Sequence, residues 1–219
     1  LPYQVYVQTR SALLTGLLGA VELGPLVAMA LLGGALADRM DRRRLLLVDQ
    51  LALVAIPAAL FIAALAGNPP LGLLYLLGGL LAGFGALQNV ARSAIVPNLV
   101  AREQMPAALA VNFGLYQLTM VIGPGLGGLL IAAAGVAGAY AIDAVSCLAM
   151  VAALRHLSPQ LPERTAEPPA IGRSIVDGLR FVRRSPALLG SFAIDLSAMT
   201  FGMPRALFPV LAVSVYGAG

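Results

Sequence analysis

The sequence predicts an all-α membrane protein whose helices form a polytopic bundle. Of its 219 residues, 59% are hydrophobic and only 11% are charged, and the mean hydropathy is +0.88. A soluble domain is closer to half apolar and a quarter charged. The apolar residues lie in blocks of roughly 20, the length that an α-helix needs to cross about 30 Å of hydrocarbon. These observations argue against an ordinary soluble domain.

Seven membrane spans are predicted in order along the chain. The first contributes only its end, residues 1–8, and the others cover about 11–37, 45–66, 71–91, 106–134, 139–154 and 187–213. Turn-forming residues lie at 67–70 and at 135–138, where we expect tight connections. We therefore predict an N-terminal bundle over residues 1–157, a linker over 158–186 and the start of a second bundle over 187–219.

The arginines predict how the chain is oriented. All 14 basic residues are arginines, and cytoplasmic loops of membrane proteins are the ones enriched in basic residues. With the predicted spans, one side of the membrane carries only Arg10. The other side carries Arg39, Arg42, Arg43, Arg44, Arg92, Arg102, Arg155, Arg164, Arg173, Arg180, Arg183 and Arg184. We expect that side to be cytoplasmic, in a multi-pass protein of the inner (plasma) membrane.

The linker over 158–186 is then also cytoplasmic. It starts Pro-rich and charged, and continues with residues 171–184, "IGRSIVDGLRFVRR". Apolar residues of that stretch fall on one helical face and arginines on the other. Such an amphipathic helix suits the anionic inner surface of the membrane.

Residues 33–44, "GGALADRMDRRR", concentrate charge between the second and third spans. A short arginine-rich loop resists translocation, so a topology signal alone explains part of the cluster. The stretch also resembles G-x-x-x-D-R-x-G-R-R, the signature loop of the major facilitator superfamily. The matching residues are Gly34, Asp38, Arg39, Arg42 and Arg43.

That resemblance implies that the loop latches the cytoplasmic side of a transporter shut. We expect Gly34 to allow a close approach of another helix. Asp41 stands where the pattern prefers glycine. Asp49, predicted one turn into the third span, is expected to complement the helix dipole and to pair with the arginines as part of the latch.

A second motif lies in the fifth span. "TMVIGPGLGGLL" resembles the superfamily's exporter motif G-x-x-x-G-P-x-x-G-G through Gly123, Pro124, Gly127 and Gly128, and Thr119 replaces the first glycine. Proline bends a helix, and glycines allow tight helix packing. The alternative is an ordinary glycine packing face.

The fourth span departs from the superfamily's R-x-x-Q-G pattern. Gly79 and Ala82 stand where the arginine and glutamine would be. The arginine that the family implicates in proton coupling is therefore absent.

Ionisable groups inside the membrane are costly, so each one is a functional candidate. Glu22 suits a proton carrier or a cation contact, or else a hydrogen-bonded structural role. Asp143 is predicted one turn into the sixth span, where it complements the helix dipole. Asp195 and Arg205 lie about 15 Å apart along one helix, too far to pair.

Arg205 suits an anionic substrate or snorkels to the headgroups. Tyr116 and Gln117 are candidates to line a substrate cavity, although polar residues also tie helices together.

Segments along nearly the whole chain, "LPYQVYVQTRS" and "GMPRALFPVLA" among them, resemble the enterobactin exporter branch of the superfamily, which includes multidrug pumps. The resemblance implies a proton-coupled exporter of a siderophore or drug-like molecule that works by alternating access between two six-helix halves. We expect a monomer when full length, with substrate, H⁺ and the lipid bilayer as partners. Alternatives are an importer of the same fold and a non-transporting fragment.

The sequence contains no metal-ligand cluster, catalytic triad or phosphate-binding loop. We therefore expect no enzymatic activity, no cofactor and no resident metal. The arginines follow the predicted membrane topology, so we also expect no nucleic-acid partner.

Overall fold

The computed structural model describes residues 1–37, 39–67, 69–158 and 180–202. Within these ranges, the regular secondary structure is entirely helical. The helices are α1 (Pro2–Thr9), α2 (Ala12–Ala37), α3 (Arg42–Leu65), α4 (Leu71–Leu99), a 3₁₀ turn (Arg102–Gln104), α5 (Met105–Arg155) and α6 (Pro186–Gly202). Residues 180–184 are also helical. The rest of the predicted linker and the end of the seventh span lie outside the described residues.

Four of these helices, α2 to α5, are long and apolar enough to cross a membrane. Helix α5 has 51 residues, about 76 Å at 1.5 Å per residue, which is more than twice the thickness of the hydrocarbon. Gly135 interrupts it with φ 69° and ψ 179°, a backbone conformation that glycine adopts without strain. The fifth and sixth predicted spans are therefore the two segments of α5, and only Gly135 leaves the helix, where a four-residue turn was expected.

Helix α3 begins three residues before its predicted start. Asp41 is its N-cap, and the Asp41 carboxylate accepts a hydrogen bond of 3.0 Å from the backbone N–H of Arg43. This bond satisfies one of the N–H groups that the first turn of a helix leaves free. Three arginines predicted to lie in a loop therefore lie in the first turn of α3.

Helix α4 extends beyond its predicted end at residue 91. Leu87, Ala91 and Ile95 are all buried, and their spacing of four residues places them on one face. The buried stripe continues past residue 91, into a segment that was predicted to be a loop because it contains polar residues. Helical propensity and burial together outweigh the polar character of Arg92 and Ser93.

The chain separates into two compact units, one of residues 1–21 and 164–219, the other of residues 22–163. In the second unit, α3 is central because it packs along both α4 and α5. Its buried stripe consists of Leu45, Leu46, Asp49, Gln50, Leu53, Ile56, Pro57 and Leu60. The stripe is apolar apart from Asp49 and Gln50, which places these two side chains inside the bundle.

Candidate functional site

Arg42 connects three helices at one end of this unit. Its Nη1 atom donates a hydrogen bond of 2.8 Å to the carbonyl oxygen of Ala94, on the last part of α4. Its Nε atom donates one of 3.4 Å to the carbonyl of Ala37, the last residue of α2. A planar guanidinium holds several donors in a fixed geometry, so one side chain ties the ends of α2 and α4 to the start of α3.

Arg43 makes an equivalent connection to α5. Its Nε atom donates to the carbonyl of Leu154 at 3.0 Å and its Nη2 atom to the carbonyl of Arg155 at 2.8 Å. These are the last two residues of α5, where backbone carbonyls lack partners within the helix. A cation is also favoured there by the helix dipole. We call Arg42, Arg43 and these four carbonyl groups the arginine clamp.

A compact apolar layer lies beneath the arginine clamp. Its buried members come from all four helices: Ala37, Leu45, Leu46, Leu87, Ala91, Ile95 and Leu154. Water is excluded from this layer, and hydrogen bonds at its edge are stronger than hydrogen bonds in bulk water. The clamp and the layer therefore hold the ends of the four helices together as one body.

The other charged residues of the predicted latch take no part in this clamp. The side chain of Arg44 is 82% exposed, and its Nε atom lies 4.0 Å from an Asp41 oxygen, a contact of little energetic value. Arg39 is exposed. Asp38 lies outside the described residues. The cluster thus divides into two arginines that are bound to carbonyls and two that face solvent.

The prediction that Asp49 pairs with these arginines is wrong. Asp49 is the eighth residue of α3 and is fully buried, and neither carboxylate oxygen has a hydrogen-bond partner among the described residues. The helix dipole acts within about one turn of the end, and Asp49 is two turns in. The early start of α3 moved Asp49 deeper and left the arginines close to backbone carbonyls instead.

Gln50, beside Asp49, belongs to a polar network that crosses three helices. The Gln88 amide on α4 donates to the Gln50 side-chain oxygen at 2.6 Å, and the Gln50 amide donates to the carbonyl of Cys147 on α5 at 3.4 Å. Such bonds between membrane helices contribute about 0.6 kcal/mol each on average. Gln50 was missed in the sequence, although its place on an otherwise apolar stripe was a visible signal.

The close helix approach expected at Gly34 occurs one residue earlier. A Cβ atom on Gly33 would lie 2.9 Å from Cδ1 of Leu87 on α4, whereas a Cβ on Gly34 would meet nothing within 4 Å. A second close approach is at Gly83 of α4, where a Cβ would lie 3.2 Å from the Pro25 side chain on α2. Residues 33 and 34 point 100° apart on a helix, so the facing glycine depends on rotation that the motif does not encode.

The exporter motif lies on the first segment of α5, and Pro124 is inside that helix. Within the described residues, a Cβ at Gly127 or Gly128 would meet nothing within 4 Å, and one at Gly123 would meet only Thr119 of the same helix. The expected tight packing of this motif is therefore not found in the part of the chain that the structure describes.

The remaining candidates are not brought together. Glu22 on α2 is half-buried, and the side chains of Tyr116 and Gln117 on α5 and of Asp195 on α6 are exposed. Arg205 lies outside the described residues. No group of three His, Cys, Asp or Glu side chains that could hold a metal occurs among the described residues.

Asp143, the other acidic candidate, is also not where it was expected. Its side chain is exposed, and it lies two turns beyond Gly135 rather than one turn into the sixth span. The start of a helical segment at residue 136 leaves Asp143 outside the first turn, where the helix dipole is strongest.

Comparison with known proteins decides the family. The model of the transmembrane secretion effector family, within the major facilitator superfamily, matches residues 8–217. The chain belongs to this family. The predicted membership of the major facilitator superfamily is thereby confirmed.

Curated relatives of the chain include the enterobactin exporter EntS of Shigella boydii serotype 4 and that of Escherichia coli O127:H6. Each is 33% identical to it over 216 residues, which cover 96% of the chain and 50% of the relative. The chain thus spans about half the length of the curated relatives it matches. No solved structure is significantly similar to it.

Family membership and helix composition agree on location. The relatives are named as exporters, and four described helices are long and apolar enough to cross a bilayer. The chain belongs to a multi-pass inner-membrane protein, and its fold, which is helical in the described residues, is of the major facilitator type.

Proposed function

We propose that the full-length protein is a secondary active exporter that moves a siderophore or a drug-like small molecule out of the cell. The observation that carries this proposal is the match along 96% of the chain to proteins named enterobactin exporters. In the proposal, the proton gradient drives export, and two six-helix halves rock about a central substrate site. The protein acts as a monomer in the lipid bilayer, binds no nucleic acid and is not an enzyme.

The arginine clamp gives this half of the transporter a mechanical role. Rocking between two states requires each half to move as a rigid body, and Arg42 and Arg43 bind the ends of four helices together. Arg39 and Arg44 remain exposed at the same end. We assign these exposed arginines and Asp38 to the latch that closes the cytoplasmic side against the other half.

The direct test measures the accumulation of candidate siderophores, dyes and drugs in cells that express the full-length protein and in cells that lack it. Expression should lower accumulation of at least one compound, and collapse of the proton gradient should abolish the difference. Expression that raises accumulation would show an importer, and no difference for any compound would refute the export proposal.

The latch is tested with Asp38→Asn in the same cells. Loss of the latch carboxylate should abolish export while the variant still inserts into the membrane. Glu103→Gln is a matched control because Glu103 is an exposed carboxylate of the 3₁₀ turn with no assigned role, and it should export normally. Undiminished export by Asp38→Asn would contradict the latch.

A further inference from the structure

Asp49 is a buried carboxyl group without a hydrogen-bond partner among the described residues. Its relative exposure is 0%, and both carboxylate oxygens are buried without a hydrogen-bond partner. Buried leucines lie one turn before it, at Leu45 and Leu46, and one turn after it, at Leu53. A carboxyl group is therefore enclosed on the face of α3 that packs against the rest of the bundle.

Among the residues that the structure describes, no cationic side chain forms a salt bridge or a hydrogen bond with this carboxyl group. Of the three arginines on its own helix, Arg42 and Arg43 are bound to backbone carbonyls. The side chain of Arg44 is 82% exposed and lies beside Asp41. The titratable groups on the two helices packed against α3 are Tyr75 and Arg92 on α4, and Tyr116, Tyr140, Asp143, Cys147 and Arg155 on α5. Of these, Cys147 is at the level of Asp49, because its carbonyl accepts from Gln50, and a thiol provides no positive charge. Arg92 and Arg155 are exposed.

The neighbouring polar network also leaves Asp49 alone. Gln88 donates to Gln50, and Gln50 donates to the carbonyl of Cys147. Neither hydrogen bond involves the Asp49 carboxyl group. An ionised carboxylate that is buried without a partner costs several kcal/mol even after the protein relaxes. Such a group takes up a proton instead, since the neutral acid avoids most of that cost.

We propose that Asp49 is a proton-binding site inside the bundle and holds a proton in the conformation described here. The proton leaves when water reaches the carboxyl group. The use of this proton to drive export rests on the proposed function, whereas its presence on Asp49 does not. Asp49 is not one of the residues that match either motif, and it lies about two turns along α3 from Arg42 and Arg43 of the arginine clamp.

Infrared spectroscopy tests the bound proton directly, because a protonated carboxyl group has a carbonyl stretch that a carboxylate lacks. We expect the purified protein at neutral pH to show this band and the Asp49→Asn variant to lose part of it. Asp41→Asn is the matched control, since the Asp41 carboxylate caps α3 by accepting from the backbone N–H of Arg43 and asparagine caps helices equally well. If Asp49→Asn loses only carboxylate absorption and keeps the full band of the protonated carboxyl group, the proposal is overturned.

A second variant guards against failure of Asp49→Asn to fold. Asp49→Glu keeps a carboxyl group at the site, so the band should persist at a shifted frequency. In wild type, isotope labelling of the aspartate carboxyl groups should shift the band. In Asp49→Glu, the same labelling should leave the band unchanged. An unchanged response to labelled aspartate would show that the proton is on another residue.

The coupling role is tested separately with the full-length protein. Asp49→Asn should lose proton-driven export but retain exchange of substrate across vesicles that have no proton gradient. Normal proton-driven export by this variant would refute the coupling role, even with the infrared band assigned. If the wild type exports nothing, the proposed function falls while the infrared result for Asp49 still stands.

Discussion

Arg43 shows how one side chain acts on the end of a distant helix. Its guanidinium donates to the carbonyls of Leu154 and Arg155, which are 111 and 112 residues away in sequence. Both acceptors are at the end of α5, where the helix supplies no N–H four residues on. The Leu154 carbonyl also accepts from the backbone N–H of Leu157 at 3.3 Å. A motif that the family resemblance assigns to gating therefore also contains a structural bond within its own half.

We predict that Arg43→Ala destabilises the protein by about 1.5–3 kcal/mol, the range for hydrogen bonds to charged groups. Cys147 is half-buried and is the single cysteine of the chain, so unfolding on heating should expose it to a thiol-reactive dye. The dye should detect unfolding of Arg43→Ala at a lower temperature than unfolding of the wild type. Arg43→Lys should fall between the two because lysine lacks the fork that reaches both carbonyls.

Arg44→Ala is the control for this measurement. The Arg44 side chain is 82% exposed and makes one contact of 4.0 Å with Asp41, so its loss should change stability by less than about 0.5 kcal/mol. Equal destabilisation by the alanine variants of Arg43 and Arg44 would contradict the clamp.

Residue identities in the motif could be read from the sequence, whereas their partners could not. Gly34, Arg42 and Arg43 were recognised by spacing, yet Gly33 is the glycine that faces α4. The partners of the arginines are backbone carbonyls, which every residue carries and which therefore leave no mark in the sequence. Asp49 was assigned to the latch because its burial depends on where α3 starts, which the motif does not show.

At the scale of helices, the packing of α2 against α4 depends on Gly83. A Cβ atom there would lie 3.2 Å from the side chains of Pro25 and Met29 and 3.3 Å from the backbone oxygen of Pro25. A flexible side chain can move aside, but the backbone oxygen cannot move without shifting α2. Gly83, together with Gly33, therefore sets how closely these two helices approach.

We predict that Gly83→Leu lowers stability by about 1–3 kcal/mol through overpacking of this contact. Gly85→Leu is a matched control two residues along the same helix, since a Cβ at Gly85 would meet nothing within 4 Å. The thermal exposure of Cys147 should occur at a lower temperature only in the Gly83 variant. A similar decrease in both variants would mean that a leucine in α4, rather than the contact with α2, causes the loss.

Helix positions followed from the sequence more closely than helix ends did. The predicted second span, 11–37, matches α2 within one residue, and the break at Gly135 was expected. Helix α3 starts three residues before its predicted start because Asp41 caps it. Helix α4 ends eight residues after its predicted end because the buried stripe continues through Ile95. Hydropathy marks the part of a helix in lipid, whereas capping and packing decide where the helix stops.

At the scale of the whole molecule, the arginine distribution predicts which ends of the helices face the cytoplasm. The link between α2 and α3 contains Arg39 and begins at the arginine clamp, whereas the link between α3 and α4, from Ala66 to Pro70, has no charged residue. These two links should therefore lie on opposite sides of the membrane.

We predict that Met40→Cys, in a Cys147→Ser background, reacts with a membrane-impermeant thiol reagent only in inside-out vesicles. Ala66→Cys in the same background should react in intact cells, because both Met40 and Ala66 are exposed. Labelling of Met40→Cys from outside the cell would reverse the orientation and with it the cytoplasmic placement of the latch and linker.

The sequence by itself determined the class of protein, the family and the approximate positions of the membrane helices. These follow from the length and hydropathy of single segments and from short motifs, which are local properties. Only the tertiary structure decided that Arg42 and Arg43 bind helix ends, that Gly33 and Gly83 are the contact glycines and that Asp49 is enclosed without a partner. Each of these depends on contacts between residues that lie far apart in the chain, and on helix rotation and helix ends that local patterns leave open.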